Sequence, residues 1–115
     1  MRRKSCSSSR RESINKERII RKLSQLAKEL KSKEGNILKV VLFGSLADDT
    51  FTTRSDADIL IILKESELPF VERIPPFLLH FSEGDVPVDV FPYTEEELKD
   101  IPFAKQALEK GITLA

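Results

Sequence analysis

The 115-residue chain has one cysteine, Cys6, so no disulfide can form within it. A lone thiol fits a reducing compartment, and the expected location is the cytoplasm. It also has one histidine, His80, which leaves no Cys/His set for a zinc site. In the stretch Phe77-Leu78-Leu79-His80-Phe81, that histidine reads as a partly buried helix residue. No apolar run approaches the roughly 18–20 residues of a membrane span. No hydrophobic core follows the basic N-terminus, so neither a membrane anchor nor a secretion signal is expected. What remains is enough for one compact domain with its own hydrophobic core.

The net charge is zero, yet the charges are segregated. Residues 1–33 carry 12 Lys/Arg against 3 Asp/Glu, and residues 34–115 carry 7 against 16. A basic N-terminal third of this kind is a candidate for weak nucleic-acid or acidic-protein contact, and equally a solvated helix face. Residues 1–11, MRRKSCSSSRR, lack apolar periodicity and are expected to form a disordered basic tail ahead of a single domain over 12–115.

From Ser13, a plausible cap, Ile19, Ile20, Leu23, Leu26, Ala27 and Leu30 recur at helical spacing, and Gly35 stops the helix. Ile37–Phe43 reads as a strand buried on both faces. Asp56–Leu63 reads as a second strand and Val86–Phe91 as a third. Pro69 and Pro75-Pro76 bracket a loop, with Pro76 opening a helix over Phe77–Phe81 that Gly84 ends. Thr94-Glu95-Glu96-Glu97 matches a capping box. Pro102–Lys110 reads as a last helix, stopped by Gly111. The order predicts an α/β (α+β) domain: a small mixed sheet with helices packed on one side.

The stretch VVLFGSLADDTFTTRSDADILIIL, residues 40–63, carries the chemistry. Residues i and i+2 of a strand share a face, so Asp56 and Asp58 point together, away from Ala57 and Ile59. Two carboxylates so placed repel unless a proton or cation lies between them. Hard oxygen ligands suit Mg²⁺. Asp89, in Val86-Pro87-Val88-Asp89-Val90-Phe91, is set among apolar neighbours in what reads as a buried strand, and would complete a three-carboxylate cluster if that strand lies beside the second. Taken alone, Asp56 and Asp58 read more readily as loop and strand-end residues that cap backbone groups. Gly44-Ser45 ends the first strand, where free backbone N–H groups can meet an anion. Tyr93 is a candidate for stacking a base or for packing at the strand end.

In combination, Gly44, Ser45, Ala47, Ser55, Asp56, Asp58, Ile59 and the later Asp89 resemble the DNA polymerase beta-like nucleotidyltransferase superfamily, in particular its minimal nucleotidyltransferase branch. The resemblance covers about residues 37–91. Asp48 and Asp49 stand where that family usually has Arg-Gly. The resemblance implies transfer of a nucleoside monophosphate from a nucleoside triphosphate, with ATP the expected one, to an acceptor hydroxyl. It implies two Mg²⁺ ions held by Asp56, Asp58 and Asp89, which would be both the metal ligands and the catalytic residues, and phosphates cradled by Gly44 and Ser45. It also implies a small helical HEPN-domain protein as partner. The domain would act on that partner as an antitoxin, by modifying it or, in a catalytically weak form, by masking it.

Overall fold

The structure, a computed structural model, describes residues 4–44, 57–84 and 87–115, with side chains described from Glu17 onward apart from the same breaks. Helix α1 (Lys4–Lys33) is followed by β1 (Ile37–Phe43), β2 (Ala57–Leu63), α2 (Phe70–Phe81), β3 (Val88–Thr94), α3 (Pro102–Lys110) and the short β4 (Ile112–Thr113). The strand order is β3-β2-β1-β4. β1 pairs antiparallel with β2 and with β4, whereas β2 pairs parallel with β3 across the α2 connection. The mixed sheet of an α+β domain is thus as expected.

The α1 stripe is buried where its spacing predicts: Ile19, Leu23, Leu26, Ala27 and Leu30 enter the core. The helix starts at Lys4 rather than Ser13, so its backbone runs through residues 4–11, where the composition predicts disorder. Extending a helix already nucleated by a packed segment costs little per residue. Glu34 donates to the Leu30 carbonyl at 2.9 Å and the chain turns at Gly35.

The helices do not lie on one side. Val40, Leu42, Ala57, Ile59, Ile61 and Leu63 face α1 and α2, around Leu23 and Phe81. Val41, Leu60 and Ile62 face the other way and are covered by Ala104 and Ala107 of α3. The continuous apolar runs of β1 and β2 explain this, because a strand apolar on both faces needs a cover on both. Ile59, Leu60 and Ile61 are fully buried, and each contributes roughly 1.5–3 kcal/mol of apolar burial.

Helix α2 also departs from expectation, because it begins at Phe70 and contains Pro75 and Pro76. Their missing N–H groups would have bonded the carbonyls of Val71 and Glu72. Both residues are exposed, so water can satisfy those carbonyls. β3 runs to Thr94 instead of ending at Phe91, and holds Pro92 fully buried. It is an edge strand, where proline is tolerated.

A buried arginine ties these pieces together. Arg73 donates through Nε to the Leu68 carbonyl (2.8 Å), through Nη1 to the Pro92 carbonyl (3.0 Å), and through both Nη atoms to the Glu97 carboxylate (2.7 and 3.1 Å). Glu97 in turn closes the expected capping box on the 3-10 turn Glu97–Asp100. The Thr94 N–H donates to Glu97 Oε1 at 2.9 Å, and the Glu97 N–H to Thr94 Oγ1 at 3.2 Å. The Arg73 hydrogen bonds first, then that of the Thr94 backbone, hold the Glu97 carboxyl down from 4.5 to about 2.

His80 is structural. Its Nε2 lies 2.7 Å from the Leu26 carbonyl, which links α2 to α1, and its ring meets Phe81 edge-on. Tyr93 stacks on Phe70 with centroids 4.6 Å apart. β4, absent from the sequence reading, is two residues long and pairs with Val41 and Leu42.

Candidate functional site

Three strands bring one row of residues together. Phe43 is the register partner of Asp58 across β1–β2, and Asp58 is the partner of Asp89 across β2–β3. Directly paired residues share a face, and neighbouring strands lie about 4.7–4.9 Å apart, so the two carboxylates stand side by side. Leu60 and Ile62 continue the face from Asp58, and Phe91 and Tyr93 continue it from Asp89. This is the α3 face of the sheet. The convergence of Asp58 and Asp89 follows from strand period and pairing alone.

Asp89 is not buried, as its apolar neighbours suggested, but exposed. Val90 enters the α1/α2 core, so Asp89 must point the other way, at the start of β3. Asp58 is half-buried. The calls on Ser45, Asp48, Asp49 and Asp56 lie outside the described residues. Among the described residues no group of three metal-ligating side chains forms, and the site there is the Asp58–Asp89 pair.

Gly44 explains the end of β1. Its φ is +81°, a conformation that glycine adopts without strain. A Cβ at this position would collide with the Asp58 carboxylate at Oδ2. The backbone of the Gly44 turn therefore comes directly against that carboxylate, which links the strand-end glycine to the first of the paired acids.

Below the carboxylates is an aromatic layer. Phe103 of α3 lies 5.6 Å from Phe43 and 5.7 Å from Phe91, centroid to centroid. Beside it opens a cleft of about 420 Å³ lined by Phe43, Gly44, Phe103, Gln106, Ala107, Lys110 and Gly111. The α3 contributors fall at i, i+3, i+4 and i+7, a single helix face. The sequence reading singled out none of Phe103, Gln106 or Lys110. Their helical spacing was visible, but nothing in it says that α3 crosses the site face of the sheet.

A nucleotidyltransferase domain model matches residues 23–113. The chain belongs to that family. The match runs from the middle of α1 to β4 and so takes in the whole sheet. The fold of this nucleotidyltransferase domain is also similar to that in a crystal structure of a proposed nucleotidyltransferase from Sulfolobus solfataricus. The TM-score is 0.61 and the identity 22%, over 85% of this chain and 80% of that one. Among curated proteins none matches. Among the described residues of the domain, no helix is long and apolar enough to cross a membrane.

Proposed function

We propose that the domain transfers a nucleoside monophosphate from a nucleoside triphosphate, ATP being the expected donor, to an acceptor hydroxyl. The acceptor oxygen bonds to the α-phosphorus, the bridging α–β P–O bond breaks, and pyrophosphate leaves. The observation that carries this reading is the register of Asp58 against Asp89, with the Gly44 backbone packed on the Asp58 carboxylate. Two hard, anionic oxygen donors side by side at an open strand end suit Mg²⁺. Asp58 and Asp89 would hold it together with Asp56, two residues earlier in the same strand pattern. Bound Mg²⁺ supplies charge neutralisation at the phosphate oxygens and acidifies the attacking hydroxyl. Asp89, which is exposed, would take the acceptor proton. Gly44 and Ser45 would offer backbone N–H groups to the terminal phosphates.

Thermal melting with and without Mg²⁺ and each of the four triphosphates tests the reading. The domain should be stabilised most by Mg²⁺ with triphosphate, since a ligand that binds only the folded state raises stability by mass action. Asp58→Asn should remove most of that gain and any turnover.

A second reading is a binding module, an antitoxin that masks a HEPN-domain protein. It is favoured by an apolar stripe on the outer face of α2 and the segment before it: Leu68, Val71 and Leu79 are 51%, 72% and 74% exposed. Asp48 and Asp49, acidic where the family usually has Arg-Gly, support it as well. A wild-type melt indifferent to every triphosphate would leave this second reading in place of the first.

A further inference from the structure

We infer that Lys110, at the last turn of α3, is a phosphate-binding residue of the cleft beside Gly44. The inference rests on the nucleotidyltransfer reading and adds to it a residue far from the Gly-Ser and Asp-x-Asp segments in sequence. Lys110 and Gly44 line the same cleft, and among the described residues that line it Lys110 is the only charged one. Its neighbours are small or backbone-only at that end: Ala107, Gly111 and Gly44. Gly111 is held against β1 so closely that a Cβ would lie 2.6 Å from Val41 Cγ1 and 2.7 Å from the Leu42 carbonyl. The end of α3 is thus fixed on the sheet beside the Gly44 turn, and Lys110 is carried with it.

The arrangement along α3 has a direction. Phe103 lies at the aromatic layer below the carboxylates, and Lys110 lies seven residues on, roughly 10 Å along the helix axis. An extended nucleotide has the same polarity, apolar and flat at one end and anionic at the other. The single ion pair among the described residues is Arg73–Glu97, so the Lys110 ammonium is not committed to a carboxylate there. Lys110 is exposed, so its charge is not needed to close the core. A compact ammonium on a flexible stem is suited to phosphate oxygens as a point charge.

The test uses the full chain with Mg²⁺, titrated calorimetrically with ATP and with inorganic tripolyphosphate, which has no base. Lys110→Gln should weaken both ligands by tenfold or more while leaving the urea midpoint unchanged, and Lys110→Arg should recover most of the affinity. The wild-type affinities should fall more steeply with salt than those of Lys110→Gln. Wild-type affinity for either ligand in Lys110→Gln would overturn the inference, as would a Lys110→Arg variant as weak as Lys110→Gln. If those results came with an Asp58→Asn variant that loses turnover, the nucleotidyltransfer reading would stand and this one alone would fail. Wild-type protein that binds neither ligand would overturn both.

Discussion

Replacing Glu97 with glutamine tests how far the buried Arg73 depends on its carboxylate. The drop of the Glu97 carboxyl from 4.5 to about 2 corresponds to roughly 3 kcal/mol at 1.36 kcal/mol per pH unit. The Glu97 side chain is 41% exposed, and water screens such a pair, which reduces the figure to about 1–2 kcal/mol. Glutamine can still accept the Thr94 N–H through its amide oxygen, but its NH₂ group faces the second Arg73 donor. Arg73 keeps its bonds to the Leu68 and Pro92 carbonyls, so the loss stays below the 3–5 kcal/mol typical of a fully buried pair. The assay is urea unfolding of wild type and Glu97→Gln between pH 7 and pH 2. The folded carboxyl is more acidic than the unfolded one, so its contribution is complete above about pH 4.5 and fades as pH falls toward about 2. The gap between the two proteins should therefore be about 1–2 kcal/mol near neutrality and should close across that window. A gap of the same size at every pH would refute the electrostatic reasoning and leave only a packing change.

Two glycines separate site from scaffold. Gly111→Ala should destabilise the fold by at least about 2 kcal/mol, because the new methyl meets backbone as well as Val41; urea unfolding checks it. Gly44→Ala should cost about 1–3 kcal/mol through its positive φ and also abolish the stabilisation by Mg²⁺ with triphosphate, a combination that melting curves resolve. Deleting residues 1–11 should leave the melting temperature within a degree or two, since the buried α1 residues among those described run from Ile19 to Leu30, and should weaken any binding to a polyanion measured by salt-dependent titration.

The parts of the molecule legible in the sequence are those fixed by local pattern. The α1 stripe, the Thr94–Glu97 capping box and helix Pro102–Lys110 each depend on residues within a few positions of one another. Asp58 meeting Asp89 needed one further assumption, that β2 and β3 are neighbours. The rest failed for two reasons, one local and one set by distant parts of the chain. Pro75 and Pro76 look like breakers until the exposed turn before them is seen, and Asp89 looks buried among its apolar neighbours although the alternation of β3 turns it away from the core that Val90 enters. The side of the sheet that α3 takes is decided by the second apolar face of β1 and β2, through Val41, Leu60 and Ile62. The cleft residues were hidden for the same reason.

The parallel pairing of β2 with β3 has a dynamic consequence. On either side of Asp58, Ala57 and Ile59 are completely buried, and the Ala57 N–H bonds the Pro87 carbonyl at 2.8 Å. Opening the backbone there means dismantling the centre of the sheet, so amide exchange around Asp58 should approach the rate set by global unfolding. The spacing of the two acids is then a constant of the folded state, immune to loop fluctuation. Any motion around the site must pass over this pair, and the pair itself stays still.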